Sequence, residues 1–307
     1  MQKKLVLTFI AALFSFISFS QSRTQKSSSN IVFQSGFEEG NKLIWDDYDG
    51  NPDTENQIIS DPGPFNKAGN HVMRFTAPSG ERGGSDLVKV LPEQYDSLYA
   101  RWYIMYEPGF NFNAPNHGGG LFAGDRKFSG MSGNRPKGDD WAQIWLEYDN
   151  KSHTPYFYVY SVGMYQDCAD PEGSCWGDHF PCTTDEGYYC KKPQHRDPPM
   201  PPKLTAGKWY CMEMRFNLGT PSVDGSTHDG KIALWVDGVN YGQWNDLWLR
   251  TSKDVKISLL TLAIFHHDGT HSDAGILIDE VAVSTGQIGC SEISENKASV
   301  NTSKINH

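Results

Sequence analysis

Three stretches of this chain carry side chains that could do chemistry. Residues 141–148 read WAQIWLEY and residues 155–166 read PYFYVYSVGMYQ. Side chains alternate between the two faces of a strand. Trp141, Gln143, Trp145 and Glu147 therefore share one face, and Ala142, Ile144 and Leu146 the other. In the next strand Phe157 and Val159 point to the core, while Tyr156, Tyr158 and Tyr160 point away from it together. A sheet face bearing rings, an amide and a carboxylate suits a sugar: its C–H faces stack on rings and its hydroxyls bond the polar groups. The competing expectation is that a loop covers these rings, and the long stretch 164–208 directly follows them. The second stretch is FHHDGTHSD at 265–273, where His266, His267, Asp268, His271 and Asp273 could bind a metal or line the end of a groove. The DGT turn between His267 and His271 argues against the helical spacing a zinc pair would use. The third is DDYDGNPD at 46–53, with Asp47, Asp49, Asn51 and Asp53 at alternate positions. It resembles half of a calcium loop but lacks the bidentate glutamate at position 12, and an Asx-rich turn explains it better.

The elements that must position these residues read as strands. No long stretch has helical period, and short alternating runs separated by Gly, Pro, Asn and Asp dominate. The pattern predicts strands over 31–37, 71–76, 97–106, 141–148, 156–163, 209–218, 231–236, 256–266 and 275–284. The VDG at 236–238 predicts a hairpin with a return strand over 239–244. Two long inserts, 107–140 and 164–208, interrupt the series. The second holds four cysteines and is expected to be cross-linked. The expected fold is all-β: one sandwich or jelly-roll domain over residues 31–291 with long disulfide-stapled loops.

The ends and the cysteines place the chain. Lys3 and Lys4, an apolar run from Leu5 to Phe19, and Ser18 and Ser20 before Gln21 have the layout of a secretory signal peptide over residues 1–20. Residues 21–30 read as a disordered linker and 292–307 as a flexible tail. The chain is expected to be secreted, periplasmic or held at the cell surface. There the six cysteines default to disulfides. Cys168, Cys175, Cys182 and Cys190 are expected to pair among themselves, and Cys211 with Cys290. A zinc site using the loop cysteines with His179 or His195 is the alternative, although paired C-x2-C knuckles are absent. The net charge of −10 argues against nucleic acid and anionic membranes as partners. A monomer without membrane insertion is expected.

Three segments in order resemble the concanavalin A-like jelly-roll polysaccharide lyases, in particular alginate and glucuronan lyases. They are LYARWYIMYEPGFNFNAPNHGGGLFAG at 98–124, PYFYVYSVGMYQ at 155–166 and GILIDEVAVS at 275–284. The resemblance implies β-elimination on an extracellular, acidic, uronate-containing polysaccharide. That reaction needs the C6 carboxylate neutralised, a base for the C5 proton and an acid for the departing O4. Tyr158 and Tyr160 take the places of that family's strand tyrosines. Gln143 or Arg101 would hold the carboxylate, and His117 would act as base or neutraliser. Trp145, Glu147, Tyr156, Tyr165, Lys127 and His266 complete the expected substrate contacts. No cofactor is required. Separately, GFEEG at 36–40 and the Asp279 strand resemble the paired strands where many carbohydrate-binding sandwiches hold a structural calcium, with Glu38 and Asp279 as its ligands.

One departure bears on catalysis. The family's Gly-rich loop commonly carries a lysine after two glycines, and here that position is Gly120. Lys127, seven residues on, is the candidate replacement. A non-catalytic, lectin-like carbohydrate-binding protein on the same fold therefore stays open. A glycoside hydrolase needs two facing carboxylates, and Glu147 stands alone on its strand.

Overall fold

The computed structural model describes residues 30–131, 133–164, 175–181 and 200–293. The segment 1–20 read as a signal peptide, Tyr165, Cys168, Cys182, Cys190 and His195 lie outside the described residues. The strands are β1 (Ile31–Ser35), β2 (Asp47–Asp49), β3 (Asn56–Ser60), β4 (His71–Phe75), β5 (Gly83–Tyr95), β6 (Ser97–Tyr106), β7 (Asn116–His117) and β8 (Gly120–Gly124). They continue with β9 (Trp141–Tyr148), β10 (Pro155–Tyr160), β11 (Asp178–Phe180), β12 (Trp209–Asn217), β13 (Gly230–Val236), β14 (Val239–Leu247), β15 (Ile257–His266) and β16 (Ile276–Ser284). No α-helix occurs among the described residues.

All strands pair antiparallel in two sheets, the architecture of a jelly-roll sandwich. One sheet runs β14-β13-β12-β6-β16-β4-β3, with β1 also on β16. The other runs β11-β10-β9-β8-β15-β5-β2, with β7 also on β15. The core between them follows from strand parity. Ala142, Ile144 and Leu146 of β9, Phe157 and Val159 of β10, and Leu260, Leu262 and Ile264 of β15 meet Trp102, Ile104, Met212 and Met214 of the first sheet. These buried apolar faces are the main stabilising term, at roughly 25 cal/mol per Å² removed from water.

Long strands with clean alternation stand where their pattern put them. The 13-residue β5 and the five-residue β8 were not expected. Both begin at glycines, and β8 lies inside a stretch read as an insert. The hairpin at Asp237–Gly238 has positive φ at both central residues, +50° and +79°, as a type I′ turn requires. On the outer face of the first sheet, Cys211 and Cys290 form a disulfide. It ties the chain end to β12 beside Tyr103, and Ile293 packs into the same cluster. Cys175 is also disulfide-bonded, and no described cysteine is free.

Arg101 belongs to this outer face. Its guanidinium donates to the carbonyls of Glu280 at 2.9 Å and Gly289 at 3.4 Å. Position 101 alternates with Ala100 and Trp102, which point into the core. Arg101 therefore sits on the far side of the sandwich from β9 and β10, and the expectation that it holds a substrate carboxylate beside their tyrosines is corrected.

Candidate functional site

The outer face of the second sheet carries two adjoining regions, one covered and one open. The covered region is the tyrosine strand. Tyr156, Tyr158 and Tyr160 do point away from the core, as parity predicts, but they are buried with Trp141, Met164 and Cys175. The segment 175–181 lies across them. A Cβ on Gly177 would come within 3.0 Å of the Tyr158 ring and 3.1 Å of the Tyr160 ring, and His179 packs on Tyr156 and Tyr158. The Tyr158 and Tyr160 hydroxyls bond each other at 2.9 Å, and Tyr160 also accepts from the Gly133 amide at 3.0 Å. Burial pushes both phenols up from their usual range. The open tyrosine groove is therefore replaced by a sealed aromatic layer. Gln143 is buried in the same layer opposite Tyr160.

The open region is a cleft of about 810 Å³ over β5, β15 and the β7–β8 segment, lined among others by Asp49, Arg82, Asp86, His117, Trp145, Trp176, Phe265 and His267. His117 is its best-organised group. β7 pairs with the end of β15, setting His117 opposite Phe265. Its Nδ1 meets Glu147 Oε1 at 2.5 Å. Glu147 is almost fully buried, and its other oxygen accepts from the Tyr156 hydroxyl at 2.7 Å. Burial, then the charge and hydrogen bond of Glu147, hold the Tyr156 phenol well above its usual range. Tyr158 stacks on the imidazole at 5.4 Å and 14°, and Trp145 and His267 pack edge-on at 5.6 and 4.3 Å. With Nδ1 committed to a buried carboxylate, Nε2 is the nitrogen left to act on a ligand, the arrangement of an oriented imidazole base.

The three glycines after His117 explain the loop. A Cβ at Gly118, Gly119 or Gly120 would sit 2.1, 2.2 or 2.0 Å from the carbonyl oxygen of Leu146, Thr261 or Ile144. Backbone packs where side chains would be, so no lysine fits at 120 without moving a strand. Lys127 does not replace it. Lys127 lies on a short turn past β8, pairs with Asp125 at 2.8 Å and lines a separate hollow with Arg135 and Lys137. Among the described residues the cleft is lined by one Lys or Arg, Arg82, over the Phe265 ring at 5.4 Å. No sequence signal marks it, because it comes from the turn before the unexpected β5.

His266 is corrected in favour of its neighbour. Leu260, Leu262 and Ile264 face the core, so His266 does too, buried and stacked on His271 at 4.1 Å. Burial, reinforced by His271, lowers its pKa to about 4. His267 faces the cleft, and burial with the nearby His117 lowers it as well. The alternation of Thr261, Ala263 and Phe265 against Leu, Leu and Ile was the signal for this.

No group of three or more His, Cys, Asp or Glu among the described residues is placed to hold a metal. Asp47 pairs with Arg126, and Asn51 accepts from the Asp53 amide as in an Asx turn. At the expected calcium position Glu38 is ion-paired with Lys67. Asp279 accepts from Asn70 at 2.9 Å and from the Glu280 amide at 2.7 Å. Burial, with Glu280 and Glu38 adding to it, raises the Asp279 pKa to about 7. The folded protein thus holds a proton that the unfolded chain releases near its ordinary value, so stability falls as pH rises from about 4 to about 7, by up to about 4 kcal/mol. His266, lowered, works in the opposite direction as pH falls below its ordinary value. Asp279→Asn is therefore expected to raise Tm relative to wild type at about pH 8 in chelator, and to lose that advantage near pH 4. Thermal scans at both pH values check this. A variant less stable than wild type at pH 8 in chelator would overturn it, and a calcium-dependent rise in Tm confined to wild type would mark Asp279 as a ligand.

No family model matches the chain, and no curated protein does. Solved structures share its fold. An alginate lyase from Chlorella virus superposes with a TM-score of 0.59 at 15% identity, covering 83% of this chain and 100% of its own. An alginate lyase from Aplysia kurodai does so at 0.58 and 12%, covering 83% and 99%. An endo-β-1,4-glucuronan lyase from Trichoderma reesei reaches 0.52 and 16%, covering 83% and 96%. The two-sheet sandwich matches the jelly-roll fold of these polysaccharide lyases.

Proposed function

We propose that this protein is an extracellular polysaccharide lyase that cleaves a uronate-containing glycan by β-elimination, with His117 as the reacting base. The observation that carries the reading is the His117–Glu147–Tyr156 chain of hydrogen bonds at the wall of an open cleft. In the proposed step Nε2 takes the C5 proton. The C5–H electron pair becomes the C4=C5 double bond as the C4–O4 bond breaks, and the imidazolium returns its proton to O4. The buried Glu147 carboxylate stabilises the imidazolium between these transfers. Arg82 is positioned to neutralise the C6 carboxylate, and Trp145 to stack a sugar ring. The test is incubation with uronate polymers, following the ultraviolet absorbance and mass of an unsaturated uronate end. Absence of that product from every uronate polymer would defeat the reading.

The sealed tyrosine layer gives a second prediction. Tyr160→Phe should keep turnover within about threefold of wild type while costing about 1–2 kcal/mol, since Gly133 and Tyr158 lose a buried partner. Loss of activity beyond a hundredfold with normal stability would return the tyrosine to the reaction. Gly120 favours a second reading: no cationic side chain stands where related loops place one, so the cleft could bind without cutting. Affinity electrophoresis showing retention on a uronate polymer without unsaturated ends would support that reading instead.

A further inference from the structure

Resting on the lyase reading, we infer that the cleft selects a glycan in which the second sugar from a 4-linked uronate is neutral, rather than a run of consecutive or strictly alternating uronates. The charge along the cleft changes sign. His117, His267 and Arg82 lie together at one part of it. Asp49 and Asp86 line the same cleft from β2 and β5, as directly paired residues joined by the Asp49 amide to Asp86 Oδ1 at 3.0 Å. The register sets their distance. His117 is opposite Phe265 on one side of β15, and Asp86 is opposite Ala263 on the other side. That is two strand spacings across and two residues along, roughly 12 Å. That span takes two sugars of a 4-linked chain, so a glycan with one uronate at His117 lays the second sugar along over the two carboxylates.

Neither Asp49 nor Asp86 has an ion-pair partner among the described residues; the nearby Arg126 is taken by Asp47. Burial already pushes the Asp86 carboxyl up, and the charges of Asp49 and Asp47 add to it. A second uronate would bring one more negative group to this wall, whereas the hydroxyls of a neutral sugar can donate to it. The net charge of −10 supplies no long-range attraction to offset that repulsion.

The experiment uses the purified protein in chelator with four polymers. Glucuronan and alginate present consecutive uronates and hyaluronan alternating ones, so each puts a second uronate two sugars along; deacylated gellan presents one 4-linked glucuronate per repeat, with neutral sugars two places away. We expect kcat/KM for gellan to exceed that for each of the other three by on the order of tenfold. In Asp49→Asn/Asp86→Asn, cleavage of the other three should rise by on the order of tenfold while cleavage of gellan does not rise. Asp49→Asn alone, at an exposed position, serves if the double variant folds poorly. Any of those three cut as well as gellan or better, with no gain in the variants, would overturn the inference and leave the lyase reading standing. If none of the four yields unsaturated ends, the lyase reading fails, and charge selection is judged by retention in affinity electrophoresis. Tighter retention by gellan than by the other three would uphold it; equal, reversed or absent retention would overturn it.

Discussion

His117→Ala is expected to lower turnover by roughly 10³–10⁴-fold, the upper range for removing a positioned general base. The expectation rests on what surrounds the imidazole. Its Nδ1 has one partner, a carboxylate whose other oxygen is bonded to Tyr156, and its ring is clamped by Tyr158, Trp145 and His267. Such a ring is held in one orientation and one tautomer. Glu147→Gln probes the same arrangement without touching the ligand. A glutamine amide can donate to Nδ1 and force the proton onto Nε2, the nitrogen that must accept, as in a triad with its orienting carboxylate replaced. Its expected loss is on the order of 10²–10⁴ in kcat, with little change in KM and a displaced pH profile. A merely structural role for Glu147 would lower stability without moving that profile. Near-wild-type turnover in His117→Ala, with unsaturated product still forming, would remove His117 from the reaction.

The second large effect concerns stability. Replacing both Cys211 and Cys290 by alanine is expected to cost about 4.5 kcal/mol, the chain-entropy value for a loop closed over a sequence separation of 79 residues. For a domain of this size that corresponds to roughly a 10–15 °C fall in Tm. The location supports a full effect. Cys211 is completely buried, and the chain end it holds is also fastened by the amides of Ile288 and Gly289 on Glu213 and by Ser291 on Tyr103. Those bonds depend on the segment staying beside β12. The cleft lies on the opposite face of the sandwich, so turnover at low temperature should survive the double substitution. A Tm change below about 3 °C would show that the hydrogen bonds alone secure the segment.

The strands that define both sheets were legible wherever apolar and polar residues alternate cleanly, as in β6, β9 and β12. That periodicity is imposed by burial of one face and needs no knowledge of the partner strand. β5 and β8 escaped because glycines open them. A strand that packs backbone against backbone carries no side-chain pattern to recognise. The lysine question had the same origin. Position 120 looked like a lost catalytic group, while three-dimensionally it is a place with no room for a Cβ.

The candidate site divides along the same line. Parity alone put Trp145, Glu147 and the three tyrosines on one side of the sheet, because alternation is a local property of the extended backbone, whereas His117 came only from the resemblance of its Gly-rich loop. Which of these meet open space was not local. Segment 175–181, from the insert that follows β10, folds back to seal the tyrosines, whereas Arg82, His267, Asp49 and Asp86 reach the cleft through pairings of β2, β5 and β15. The sequence by itself determined an all-β sandwich with an aromatic, histidine-bearing sheet face. Only the tertiary structure decided that His117 rather than a tyrosine faces the cleft and that Arg101 lies on the other side of the molecule. Strand order and loop cover decide exposure, and both are set by contacts between residues far apart in the chain.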